Sequence, residues 1–398
     1  MNYLTLILLV MGCFVIVEML CGRYDKVCKQ VYNLAFVTLV VMVGAKYMLG
    51  PDVANYFPHY NTLPHLDRIF SELDDLLFEP GFNLYCSLLK TLGISFWGMT
   101  LSVTLIYYTA IYLLFRRLTA YRTLALFALV LLDYNLVLYE YRQCLAVSFF
   151  IFAYLLLEKR HYVSGVVCVL VCVLMHKSGV FICMAAGLFM MFWQFTLDKK
   201  AYIALGVLLC SMLVLPMSSL GDLLAQSLPL NDAIKDSLSL HLKMGSKVQI
   251  IFPIYFLAIL CLAYYSNFSE KDKRWHWMMW LCVAVIVSLY QYWFLLNRLR
   301  SFVLPFLLVY MQSEMAQSER KKDLLPAQLF GVVFMLYAAV FTYSSSLTPP
   351  YAKSKTNRIS TVFELCHHSK EELQHRQIRE ARLFWEHDFL QTQKEEAK

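Results

Sequence analysis

Arg142, His176, Lys177, Arg298 and Arg300 all stand where one long apolar run gives way to the next. Ionisable side chains in such places are costly at membrane depth and usually face a cavity or a partner. Tyr141-Arg142-Gln143 joins two apolar runs with almost no loop between them. The second run, 143–157, would reach only roughly 22 Å as a helix, against a hydrocarbon core of about 30 Å. Arg142 is therefore expected to be recessed below the outer surface. Its guanidinium stays charged and offers a planar fork of donors, suited to phosphate or pyrophosphate. The plainer alternative is an arginine that snorkels to the interface. Met175-His176-Lys177-Ser178 interrupts an almost wholly apolar stretch over 162–195 and marks a tight hairpin. His176 could act there as a general base, as a donor to a leaving phosphate or as a group that orients a ligand. Lys177 adds positive charge, or the four residues merely reverse the chain. Asn297-Arg298-Leu299-Arg300 again joins two runs directly. Arg298 and Arg300 could clamp an anion beside Arg142, or anchor a helix at the interface.

Carboxylates gather in one segment. Asp52 and Asn55-Tyr56 follow an apolar run, and Phe78-Glu79-Pro80-Gly81-Phe82 forms a turn into the next. Asp52 could cap a helix that begins beyond it, hydrogen-bond a sugar hydroxyl or act as a base. Glu79 could form a structural ion pair with an arginine or serve as a catalytic carboxylate. Tyr134, Tyr139 and Tyr141 could stack on sugars, but an interfacial aromatic belt is the preferred reading. The sequence holds no glycine-rich phosphate loop, GxSxG elbow, HExxH or paired-aspartate metal motif. No metal and no cofactor is expected. A group transfer on this face must use a donor that arrives already activated.

The elements that must position these groups are membrane helices. Hydrophobic residues make up 59% of the 398 positions and charged residues 16%, where soluble domains carry about 45–50% and about 25%. The mean hydropathy is +0.55. This balance excludes a disordered chain, a disulfide-stapled secreted domain and a nucleic-acid binder. The twelve cysteines fall mostly inside apolar runs, where packing explains them better than metal ligation. Runs over 3–20, 30–48, 96–115, 123–139, 143–157, 162–175, 178–195, 201–217, 249–266, 275–296, 301–316 and 325–346 are long enough to span, or nearly so. Residues 3–20 read as the first spanning helix rather than a cleaved leader. Residues 81–93 read as re-entrant or as an extension of the third helix. The expected fold is an all-α, polytopic bundle of about 12 transmembrane helices with a large outer loop over 49–80. Alternate connections hold sixteen Lys and Arg residues against eight in the other set, which contains Arg142, Lys177, Arg298 and Arg300. The richer set should be cytoplasmic, which puts both termini and the chemistry-bearing residues outside. Two parts follow: a transmembrane domain over 1–347 and a charged, partly helical tail over 348–398.

Asp52-x-x-Asn55-Tyr56, Glu79-Pro80-Gly81-Phe82, Arg142-Gln143, His176-Lys177-Ser178 and Arg298, in this order, resemble the EpsG family. These are Wzy-like polysaccharide polymerases of bacterial capsule, exopolysaccharide and O-antigen pathways. The resemblance runs over about 1–345; the tail has no counterpart. It implies a glycosyltransferase that joins polyprenyl-pyrophosphate-linked oligosaccharide repeat units at the outer, periplasmic face of the bacterial inner membrane. Arg142 and Arg298 would stabilise the departing pyrophosphate, and His176 or Asp52 would take the acceptor proton. Arg300, Glu79, Asn55, Tyr56, Gln143 and Lys177 would bind substrate. The implied partners are the lipid-linked glycan, the bilayer, and a flippase and chain-length regulator of the same pathway. A flippase for the same lipid should show internal repeats and charges on both faces. A membrane O-acyltransferase would need a cytoplasmic acyl donor to reach His176.

Overall fold

The structure is a computed structural model of the chain. It describes residues 3–21, 25–47, 52–72, 76–119, 121–191 and 298–309, with isolated positions between 361 and 375. Among these residues every regular element is helical; an isolated antiparallel bridge pairs Lys46 with Thr361. The chain forms two compact units, Met1–Val180 with Ala339–Lys398, and Phe181–Ala338. Among the described residues four helices are long and apolar enough to cross a membrane: α1 (Tyr3–Leu20), α2 (Asp25–Gly44), α6 (Phe96–Leu118) and α9 (Tyr141–Glu158). Between and after them stand α3 (Val53–Thr62), α4 (Ile69–Glu72), α5 (Pro80–Thr91), α7 (Arg122–Leu132), α8 (Tyr134–Tyr139), α10 (Tyr162–Met175) and α11 (Lys177–Met191). A further helix, α12, covers 298–309 in the second unit. The protein is thus an all-helical membrane protein over what is described. The runs expected over 201–217, 249–266, 275–296 and 325–346 lie outside the described residues.

Three expectations are corrected. Residues 81–93 do not extend the third spanning helix. They form α5, which ends at Thr91 with Leu92 as its C-cap; the chain then turns through Gly93 at φ 74°, a conformation only glycine adopts cheaply. Ser95 opens α6 by accepting a hydrogen bond from the Gly98 amide, 3.3 Å. The run over 123–139 is two helices, broken at buried Asp133 (φ −138°, ψ 41°). Aspartate competes for local backbone donors and is a weak helix former. The outer loop over 49–80 contains α3 and α4.

Ion pairs place the helix ends. Glu18, near the end of α1, is buried and accepts hydrogen bonds from the amides of Thr123 (2.9 Å) and Leu124 (3.0 Å). These are orphan donors in the first turn of α7, where a carboxylate also meets the positive end of the helix dipole. Arg122 approaches Asp25 at 3.8 Å, and Arg117 meets Glu158 at 3.0 Å. The far ends of α1, α6 and α9 therefore lie with the near ends of α2 and α7, as strict alternation of direction requires. Glu18→Ala is expected to lower the thermal midpoint of the detergent-solubilised protein, at a cost of about 1–3 kcal/mol for buried donors left unsatisfied. Glu18→Gln, which keeps one acceptor oxygen where the carboxylate has two and loses the charge, should fall between. An unchanged midpoint in both variants would remove the capping role.

Packing follows from aromatic and aliphatic faces. Tyr32 of α2 stacks on Tyr112 of α6, with centroids 4.9 Å apart and planes within 5°. Val163, Val166, Val167, Leu170 and Leu174 form an exposed apolar stripe along α10, with the spacing of one helix face. Such a face suits hydrocarbon rather than water.

Candidate active site

The opposite end of the first unit is built from helix termini. Pro80 occupies the first position of α5, where its missing N–H costs nothing. It also holds the preceding residue extended, and Glu79 is found at φ −60°, ψ 146°. Glu79 is thereby aimed away from its own helix. His176 is likewise extended (φ −158°, ψ 138°) between α10 and α11. Arg142 lies in the first turn of α9, and Tyr56 lies in α3.

These residues meet around Arg142. Its Nη1 donates to Glu79 Oε2 at 2.5 Å, and its Nε donates to the Tyr56 hydroxyl at 3.1 Å. The guanidinium carbon sits 4.4 Å from the centre of the Phe78 ring and 5.8 Å from that of Tyr56, within cation–π range. Glu79 Oε1 accepts the Lys177 amide at 3.3 Å, so one carboxylate ties α9 to the start of α11. Burial raises the Glu79 carboxyl, but the Arg142 guanidinium, with the hydrogen bonds the carboxylate accepts, outweighs it and holds the group below its ordinary value. Glu79 is therefore ionised at neutral pH. Of its two sequence readings, the ion pair is the one the geometry realises.

The Arg142 side chain is partly buried, 21% exposed, and α9 is not short. The helix has 18 residues, about 27 Å of rise. Phe78, Glu79 and Tyr56 cover the guanidinium from the side. Two of the five guanidinium N–H groups are engaged, which leaves three with no hydrogen bond to a described residue. Burial also raises the Tyr56 phenol; it stays protonated, accepts from Arg142 and keeps its own O–H to donate.

His176 is buried, and its Nδ1 accepts the Ser178 amide at 3.1 Å and lies 2.6 Å from the Ser178 hydroxyl. An amide can only donate, so Nδ1 carries the lone pair and a neutral ring carries its proton on Nε2. Lys177 is exposed and Ser178 buried. Asp52 stands before the first turn of α3. Its carbonyl accepts the amides of Asn55 (3.0 Å) and Tyr56 (3.1 Å), but its side chain makes no capping bond. A helix does begin there, as expected, without the side-chain cap. Asn55 is exposed and Gln143 is buried on α9. Arg298 and Arg300 open α12 in the second unit and are partly buried. The aromatic-belt reading fails for Tyr141: its ring is buried, 5.1 Å from Tyr56, because α9 begins inside the bundle.

Sequence reasoning missed three polar residues here. His59 follows Tyr56 by three positions and shares its helix face; its ring lies 4.5 Å from Phe78. Asn83, fully buried, hydrogen-bonds His59. Lys46, beyond the end of α2, is also buried, with its ammonium 5.0 Å from the centre of Tyr141. Burial brings the Lys46 amine down to about 7. Its folded pKa is depressed, so the unfolded chain binds more protons between about pH 7 and the ordinary lysine value, and stability rises with pH across that window. The thermal midpoint of the solubilised protein is expected to rise between pH 7 and pH 9. Lys46→Met should flatten that rise and be the more stable protein at pH 6. A variant with the wild-type pH profile would show that the amine is not held neutral.

Among the described residues no group of three or more His, Cys, Asp or Glu could hold a metal ion. No curated protein and no solved structure matches the chain. One protein family does match it. That family's profile matches residues 29–353, which take in most of α2, all of α3 to α11 and every member of the Arg142 cluster; the chain belongs to the EpsG family.

Proposed function

We propose that the chain is a polysaccharide polymerase, a glycosyltransferase that joins polyprenyl-pyrophosphate-linked oligosaccharide repeat units and releases polyprenyl pyrophosphate. The observation that carries this reading is Arg142, held by Glu79, Tyr56 and Phe78 with three N–H groups to spare. A fixed guanidinium stabilises charge that develops as the pyrophosphate leaves, and does so without reorganising during the reaction. The donor role is assigned to His176, whose Nδ1 is engaged by Ser178. Lys177 is a further anion ligand. Asp52, Asn55, Tyr56 and Gln143 bind the sugars. The basic helix ends around Arg117 and Arg122 face the cytoplasm, so the Arg142 cluster faces the periplasm, at the outer side of the bacterial inner membrane. Residues 1–347 carry the reaction, and 348–398 form an appended tail.

The experiment is glycan length in cells that lack this chain, with and without full-length wild-type protein. Cells without it should hold single lipid-linked repeats on the outer leaflet, and the protein should restore a ladder. Repeats trapped on the inner leaflet would instead mean a flippase. A change in acyl content at constant length would mean an acyltransferase.

A further inference from the structure

Two hydrogen bonds fix the protonation of a histidine that the reaction scheme above does not use. The Asn83 Nδ2 group donates to the Phe78 carbonyl at 2.7 Å. A carbonyl oxygen can only accept, so the other amide atom of Asn83 is its oxygen, which can also only accept. That oxygen lies 2.9 Å from His59 Nε2, so Nε2 must carry the proton. The lone pair of a neutral His59 is then on Nδ1, and no described residue hydrogen-bonds that atom. A neutral His59 thus presents a lone pair on Nδ1.

The surroundings keep His59 neutral. Half-burial lowers its basicity, the Asn83 bond opposes this, and the nearby charge of Arg142 lowers it further. The charged and titratable groups around it are Arg142 on α9, whose charge is paired with Glu79 at the start of α5, and Tyr56 on its own helix. Lys90 of α5 donates to the carbonyls of Asn61 (2.7 Å) and Leu63 (2.5 Å) at the end of α3. No carboxylate hydrogen-bonds His59 among the described residues.

We propose that His59 is the general base of the polymerisation, taking the acceptor hydroxyl proton on Nδ1, and that Asn83 is the positioning residue that fixes its tautomer. This rests on the polymerase reading. As the proton passes to Nδ1, the acceptor oxygen forms a bond to the anomeric carbon of the donor. The bond from that carbon to the phosphate oxygen breaks, and polyprenyl pyrophosphate leaves with the electron pair. The imidazolium then returns its proton to water.

The test uses full-length protein in membranes from cells lacking the native chain. The probe is the radiolabelled lipid-linked glycan extracted from those cells, and chain growth is followed from pH 5 to 9. His59→Ala and His59→Gln should slow growth by about 10²–10⁴-fold at equal protein level, the usual contribution of a general base. Asn83→Asp places a negative charge on Nε2–H, which favours the imidazolium. The acid limb of the rate profile should then move up by about one pH unit or more. A merely structural Asn83 would lower the rate at every pH without moving the limb. If the His59 variants stay within threefold of wild type while Arg142→Ala is inactive, the base assignment falls and the polymerase stands. If the limb stays in place in Asn83→Asp, His59 is not the titrating base. If the His59 and Arg142 variants are all fully active, both readings fall.

Discussion

Arg142→Lys is expected to abolish the glycan ladder while leaving normal amounts of protein in the membrane. Lysine keeps the positive charge that Glu79 requires, so the pair is not broken. It loses the planar fork, however, and a single ammonium cannot serve Glu79, the Tyr56 hydroxyl and a pyrophosphate together. Loss of one preorganised donor to developing charge costs about 10²–10³ in rate, enough to leave only single repeats. Arg142→Ala differs in kind. Glu79, whose side chain is 8% exposed, would be left charged and without its cation. Breaking a buried pair from one side costs about 3–5 kcal/mol, so this variant should also lose protein. Adding Glu79→Ala should restore the protein level and not the ladder, because the uncompensated charge is gone but the fork is still missing. Because Glu79 titrates below its ordinary value, the pair's contribution to stability is complete at neutral pH and is lost only as pH falls through its folded value. The lysine variant should therefore be equally inactive at pH 6 and pH 8. A normal ladder from Arg142→Lys would remove the pyrophosphate role and leave Arg142 as a structural residue.

The parts of this architecture with strong periodicity could be read directly. The boundaries of α1 and α10 coincide with the apolar runs, since both helices are apolar almost throughout, with Glu18 only at the far end of α1. That Arg142 stands at the start of a helix, α9, could also be read. Its partial burial comes from Phe78, Glu79 and Tyr56 closing over it, and no spacing in one sequence reveals a contact across 63 or 86 positions. The segment over 49–80 was the hardest to read. Pro58 stands inside α3, where proline normally argues against a helix. Without the helix, the three-residue spacing of Tyr56 and His59 carries no meaning, and Asn83 is one more polar residue after a turn. Lys46 was hidden differently: a lysine at the end of an apolar run reads as an interfacial anchor, and only tertiary packing buries it. Asp133 shows the same limit, since one aspartate in an apolar run did not mark the break between α7 and α8.

Gly81→Val is expected to be the most damaging change outside the polar cluster. Gly81 lies in the first turn of α5, and a Cβ there would stand 2.7 Å from the Leu174 carbonyl oxygen and 2.8 Å from Leu174 Cβ. The first obstacle is backbone, so no rotamer change relieves it; α5 and α10 must separate. Overpacking of this sort costs about 1–3 kcal/mol or more, and Gly81→Ala should already lower the thermal midpoint. The functional loss should exceed what that instability explains. Glu79 immediately precedes α5, and His176 immediately follows α10. Separation of the two helices pulls Glu79 Oε1 off the Lys177 amide and unsettles its grip on Arg142. A variant that is folded at the assay temperature should thus still fail to build a ladder. Gly12→Ala is the control: it lies within α1 with nothing in reach of an added Cβ, and replacing a helical glycine with alanine gains up to about 1 kcal/mol. Its midpoint should be unchanged or higher and its ladder normal. If Gly81→Ala behaved like that control, α5 and α10 could not approach as closely as the structure has them. Glu79 would then lack the support that holds it to Arg142 and Lys177.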